Sequence, residues 1–193
     1  QFDSPEGEFH PVPPGTTVDV TNEDGKVVSQ TTAWLGTDSV GRDILTRMLF
    51  GLRTLFLVSM SVLAISLVLG VTAGGVAGYY GDTWVDELLM RMMDLVFSFP
   101  AVVLAVGLMG VLGTGATPVG PVTIPSLAKV IFVVAIAYTP RFARVMRGAT
   151  LKEMEEDYVD AVKALGARDY RILIGDVAVN TIPVIVVQAS LYM

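Results

Sequence analysis

The chain has 193 residues, of which 52% are apolar and 17% charged, with a mean hydropathy of +0.61; this is the composition of a membrane protein, not of a water-soluble domain. With no cysteine, a disulfide framework, a Cys-ligated zinc site and a thiol nucleophile are excluded, and His10 as the single histidine argues against a His-based metal site. The formal net charge of −6 argues against nucleic-acid binding, which needs a basic footprint, and the sequence holds no Gly-x-x-x-x-Gly-Lys-Ser/Thr phosphate loop.

The polar head, residues 1–33, is rich in Pro, Gly, Thr and acids. Alternation in Thr16–Val20 and Lys26–Val28 around Asn22–Gly25 allows a short hairpin at most, and the composition leans toward a flexible extramembrane loop. Thr54–Gly81 is then free of charge over 28 residues, more than the roughly 30 Å hydrocarbon core requires at about 1.5 Å per residue. Gly70, Gly74, Gly75 and Gly78 form a small-residue face on this span, suited to close helix packing. A short connection, Asp82–Asp94, carries Glu87 and Arg91 at i, i+4 and Arg91 and Asp94 at i, i+3, both read as ion pairs. Met90, Met92 and Met93 read as gap-filling side chains rather than metal ligands.

A second span begins at Leu95, with Pro100 as a candidate kink, and closes near Gly113 in a Pro- and Gly-rich connection. The third, Ser126–Tyr138, is interrupted by Lys129 near one end, where lysine can snorkel to the headgroups. In the long polar stretch that follows, Thr150-Leu151-Lys152-Glu153 has the form of a capping box and predicts a helix start. Met154, Tyr158, Ala161, Val162 and Leu165 give that helix one apolar stripe, and Gly166 ends it as a left-handed cap. A second short helix is predicted over Asp169–Ile174, before a last charge-free run from Val177 to Met193. Seven basic residues lie between Arg141 and Asp176 and none between Leu95 and Ala128, which puts the polar stretch in the cytoplasm and the Pro/Gly connection outside. Alternation then places Asp82–Asp94 inside and the head outside, with Arg42, Arg47 and Arg53 in mild conflict.

Two motifs carry a resemblance. Asp160, Ala161, Val162, Lys163, Ala164, Leu165 and Gly166, followed by Asp176, Asn180 and Pro183, resemble the Glu-Ala-Ala-x-x-x-Gly loop of ABC importer permeases. Gly36, Thr37, Asp38, Gly41, Arg42 and Asp43, ahead of the first span, resemble the Gly-Thr-Asp-x-x-Gly-Arg-Asp signature of the second permease subunit in dipeptide, oligopeptide and nickel importers. Ala77–Gly81 and Phe97–Pro100 agree, and the likeness runs from about Trp34 to Gln188. It departs from the family where Asp160 replaces Glu, Val162 replaces the second Ala, and Asp176 and Val179 occupy positions that usually differ.

The resemblance implies an all-α polytopic bundle in the plasma membrane, with a cytoplasmic coupling loop at about 150–176 that docks on an ATPase. It implies a permease domain over 34–193 and no bond chemistry in this chain, with ATP and Mg held by partner subunits. The implied partners are a homologous permease subunit, two ATP-binding subunits, an extracytoplasmic substrate-binding protein and membrane lipid. Peptides are the expected cargo, with nickel next. Against six spans in the family, the chain is expected to be a fragment that lacks the first span and stops in the fifth. A proton- or ion-coupled secondary transporter is the rival reading, and it requires ionisable groups at mid-membrane that the charge-free runs do not supply.

Overall fold

A computed structural model describes residues 11–21, 26–119 and 122–191. His10, the turn expected around Asn22–Gly25 and the Gly120-Pro121 pair lie outside the described residues. The chain divides into two compact units, Gln1–Leu57 and Val58–Met193, with the division falling inside the first helix.

In the first unit β1 (Thr16–Thr21) pairs antiparallel with β2 (Val27–Ala33), Thr16 opposite Ala33 and Val18 opposite Thr31, with an irregularity between Val20 and Thr21. The head therefore holds a hairpin where composition leaned toward a loop; β-branched Thr and Val suit the extended strands, and Gln30 Nε2 donates to Asp19 Oδ1 across them at 2.8 Å. A tight turn follows and leads into α1 (Ile44–Tyr79), 36 residues and about 54 Å long.

The second unit contains the remainder of α1, then α2 (Trp84–Phe97), α3 (Ala101–Leu112), a two-strand pair β3 (Thr117–Val119) and β4 (Val122–Ile124), α4 (Ser126–Met154), the short α5 (Asp157–Ala164) and α6 (Asp169–Leu191). Among the described residues, α1, α4 and α6 are long and apolar enough to cross a bilayer, while α2 and α3 form a pair bent by 93°. The second span expected from Leu95 to Gly113 is thus not one straight helix. Ser98-Phe99-Pro100 breaks it, because Pro100 has no amide to donate and pushes Phe99 out of the helical region. At about 18 Å, α3 cannot cross a core of roughly 30 Å alone. The Asp82–Asp94 connection is mostly helix, not loop, since it lies within α2 from Trp84 onward.

The centre of this unit is the seam between α1 and α4. A Cβ placed at Gly70 would come 2.4 Å from Phe142 Cβ, at Gly74 2.2 Å from the Ala143 carbonyl oxygen, and at Gly78 2.6 Å from Thr150 Cβ. Only hydrogen fits at those three points, so the glycine stripe is a backbone-to-backbone contact of the small-xxx-small kind. Ala77, Val133, Ala135, Phe142, Ala143 and Met146 are buried with it.

Three expectations for the polar stretch are corrected. The helix does not begin at Thr150, because α4 runs without interruption through Pro140 to Met154. Thr150 is fully buried in that helix against Gly78, and its Oγ1 caps nothing and has no hydrogen-bond partner. The surface helix starts at Asp157, after two intervening residues, so the stripe from Met154 to Leu165 is split between two helices. Finally, the second short helix does not end near Ile174: its first turn passes through a π-helical segment, Ile172–Val177, straight into the last span. The wider winding accommodates Gly175 and Asp176 without a break.

Candidate functional site

α5 is an eight-residue helix with one face inward and one outward. Val159 is fully buried and clusters with Ile172 and Val177 of α6, with Tyr79, Met154, Tyr158, Val162 and Ala167 packed around them. Asp160, Ala161, Lys163, Ala164, Leu165 and Gly166 face out, and Leu165 is 87% exposed. Of the seven residues singled out by the loop motif, Val162 alone turns inward, half-buried. Lys163 Nζ pairs with Asp160 Oδ1 at 3.3 Å on the exposed face, a contact of small energetic weight.

The end of α5 has a full C-cap. The Gly166 amide donates to Lys163 O at 2.9 Å and the Ala167 amide to Val162 O at 3.3 Å, the doubled pattern that closes a helix through a left-handed residue. Gly166 supplies that residue at φ +80°, and a Cβ there would meet nothing within 4 Å. Its glycine is required by backbone conformation, while the space beside it is open.

Polar side chains tie α5 and the start of α6 to their neighbours. Tyr158 Oη donates to Glu153 Oε1 at 2.8 Å in the last turn of α4 and accepts from Asn180 Nδ2 of α6 at 3.0 Å. Burial pushes the Tyr158 phenol above its usual range, so it stays protonated and able to donate at neutral pH. Tyr79 Oη, at the end of α1, donates to Asp169 Oδ1 at 2.9 Å. The ties to α6 have no local sequence signal, because Tyr158 and Asn180 are 22 positions apart and Tyr79 and Asp169 are 90 apart.

On the other side of α4, a groove of about 910 Å³ opens between α2 and α4. Arg147 grips the buried Asp86 with both arms of its guanidinium, Nε to Oδ1 and Nη2 to Oδ2, each at 2.6 Å. Arg144 Nη2 donates to Asp94 Oδ1 at 2.7 Å and its guanidinium carbon sits 4.2 Å over the Phe97 ring. The expected Glu87–Arg91 pair is present, but Asp94 takes Arg144 rather than Arg91. Met92 and Met93 line an apolar cavity of about 510 Å³ between α1, α2 and α4. Lys129 does not snorkel outward. It is buried, and its ammonium donates to the carbonyls of Leu112 (2.9 Å), Gly113 (3.0 Å) and Gly115 (2.7 Å) and to Thr117 Oγ1. The unpaired carbonyls at the end of α3 attract the cation.

The second motif, in the first unit, is a turn organised by Asp38. Its carboxylate accepts from the amides of Val40 (3.0 Å) and Arg42 (2.9 Å) and pairs with Arg42 and Arg47. The Arg42 amide above all, then the Val40 amide and the two arginines, hold Asp38 down at about 2 against the opposing effect of burial. Gly36 and Gly41 adopt φ +77° and +72°. Buried Thr37 receives the Val12 amide on Oγ1 at 2.9 Å, and Asp43 caps α1 by accepting the Thr46 amide at 2.9 Å. Gly36, Thr37, Asp38, Gly41, Arg42 and Asp43 thus all serve one turn that launches α1.

Comparison with known proteins bears on the family of the chain. Residues 66–193 match the family described as "Binding-protein-dependent transport system inner membrane component". The chain is 35% identical over 158 residues to the dipeptide transport system permease protein of Alkalihalophilus pseudofirmus, covering 82% of this chain and 48% of that protein. It is 35% identical over 158 residues to the glutathione transport system permease protein of Pectobacterium atrosepticum, again covering 82% of this chain and 48% of the relative. The chain spans about half the length of these curated relatives.

Proposed function

The chain belongs to the family of binding-protein-dependent transport system inner membrane components, and from that premise we propose that it forms part of the translocation path of an ATP-driven importer of small peptides. The observation that carries this reading is α5, a capped surface helix whose motif residues Asp160, Ala161, Lys163, Ala164, Leu165 and Gly166 are exposed while its other face is packed against α6. Small Ala161 and Ala164 and projecting Leu165 give a partner a knob and room to approach. That partner is a cytoplasmic ATP-hydrolysing subunit, one of two, which would hold ATP and Mg; this chain's residues provide the contact and carry its movement.

A homologous permease subunit is to complete the path, and an extracytoplasmic binding protein is to deliver the cargo. Dipeptide and glutathione in the relatives' names favour a small peptide over nickel. In this reading α5 faces the cytoplasm, as the seven basic residues between Arg141 and Asp176 favour.

Affinity purification in detergent, from cells making the complete transporter, tests the reading with and without Gly166→Glu. A β-carbon and a carboxylate at φ +80° strain the cap by about 1–2 kcal/mol and place a charge on the exposed face. The ATPase is expected to co-purify with the unaltered protein and to be lost from the variant, with the membrane fold retained. An unaltered protein that brings down no ATPase would refute the assignment.

A further inference from the structure

The docking surface and the spans must be mechanically joined for a movement at one to reach the other, and the apolar contacts of α5 are poor candidates for that task. Val159, Ile172 and Val177 form a small cluster whose apolar attraction is non-directional and so does not by itself select one rotational setting. α5 is linked to α4 through Glu155 and Glu156 and to α6 through Leu165–Arg168. What fixes its rotational setting is directional. The Tyr158 hydroxyl sits between the last turn of α4 and the body of α6, donating to Glu153 and accepting from Asn180. Both hydroxyl functions are used, and the ring lies against the apolar cluster.

We propose that Tyr158, held by Glu153 and Asn180, is the positioning residue that makes α5 turn α4 and α6 together when its outer face is pushed. The proposal rests on the reading of α5 as the ATPase contact and deepens it, by naming the side chain through which that contact acts on the spans. The chemistry suits the role. A hydroxyl donating to a carboxylate makes a charge-assisted, oriented contact, and the amide of Asn180 donates to one of the hydroxyl lone pairs. Rotation of α5 about its axis therefore either carries both neighbours or breaks at least one of the two bonds. Tyr79 on Asp169 makes a second tie of the same kind, from the end of α1 to the first turn of α6, so the start of α6 moves with α1 as well.

The test uses the complete transporter reconstituted in proteoliposomes, with Tyr158→Phe, Asn180→Leu and the double substitution. Tyr158→Phe keeps the ring on Val159, Ile172 and Val177 and removes only the hydroxyl. Co-purification of the ATPase and the basal rate of ATP hydrolysis are expected to stay as in the unaltered transporter, while peptide transported per ATP hydrolysed falls about five-fold or more, within the usual range of coupling between sites. Asn180→Leu should lower the same ratio, and the double substitution should be no worse than the more severe single one, because all act on one tie. An unchanged ratio in Tyr158→Phe overturns the proposal while leaving the ATPase contact standing. Loss of ATPase co-purification in Tyr158→Phe overturns it too, since the residue would then shape the docking face instead of transmitting from it. If the unaltered transporter shows no ATP-dependent uptake, the functional reading itself fails.

Discussion

The α1–α4 seam yields a graded prediction, because its glycines differ in what an added methyl group meets. At Gly74 the new carbon would lie 2.2 Å from a backbone oxygen of Ala143 and 2.9 Å from Met146 Cβ. A carbon and an oxygen rest comfortably only about 1 Å farther apart, and the oxygen belongs to a helix backbone that cannot swing away, so α1 and α4 must separate locally by about that distance. Overpacking of this kind costs about 1–3 kcal/mol, offset by the better helix propensity of alanine, worth about 1 kcal/mol. At Gly74 the contact is with backbone that cannot swing away, which places Gly74→Ala at the upper end, a net loss of about 2 kcal/mol. Gly70→Ala and Gly78→Ala follow, meeting Phe142 Cβ at 2.4 Å and Thr150 Cβ at 2.6 Å. Gly75→Ala should be nearly neutral, since its nearest neighbour is the flexible end of Met146 at 3.4 Å, and Gly107→Ala in α3 should be neutral or stabilising, with nothing within 4 Å. Thermal unfolding of the purified protein in one detergent, across the five variants, gives the order. Gly74→Ala as stable as Gly107→Ala would refute the packing argument.

Three further outcomes are expected. Arg147→Lys loses the two-armed grip on buried Asp86 and should destabilise the α2–α4 contact by about 2 kcal/mol, read as lowered thermal stability; Asp86→Asn should do the same, and no change in either would show the pair to be idle. Asp38, depressed to about 2, stabilises its turn at all pH values above the ordinary carboxylate range and loses that contribution as pH falls toward 2; the amide resonances of Val40 and Arg42 should titrate with a midpoint near 2, and a midpoint near the ordinary value of about 3.9 would contradict the geometry. Lys129→Met leaves the carbonyls of Leu112, Gly113 and Gly115 without their donor, so amide exchange over residues 112–117 should accelerate roughly ten-fold or more, with unchanged exchange counting against the cage.

The sequence exposed the elements whose cause is local and hid those whose cause is a distant partner. Gly166 was readable because a left-handed cap after an amphipathic run has a local chemical reason, and the cap is present. The first long span and the small-residue face at Gly70, Gly74 and Gly78 were readable for the same reason, since their spacing alone makes a stripe. Thr150 misled because a capping box is a pattern of side chains, and the same pattern occurs inside a helix that is already running; nothing local shows that Pro140 fails to stop α4. Proline in a span is tolerated when packing supports the turn around it, and Pro140 is buried. The π-helical stretch through Gly175 and Asp176 looked like a break because glycine and a charge usually mark one. Lys129 pointed outward on general grounds, and only the carbonyls at the end of α3, 14 to 17 positions earlier, turn it inward. Asp86 and Arg147, 61 positions apart, could not be matched from spacing.

Residues 1–193 hold no cysteine, so once any cysteine elsewhere in the transporter is replaced the central claim is open to a direct measurement. A single cysteine at exposed Ala161 on α5, in the otherwise complete transporter, should be cross-linked to the ATPase subunit by a short thiol-to-amine reagent, while a single cysteine at Gly107 in α3 should not. Cross-linking from Ala161 alone is the result this account requires. No product from Ala161, or equal products from both positions, would contradict the assignment of α5 as the surface through which ATP hydrolysis reaches the membrane helices.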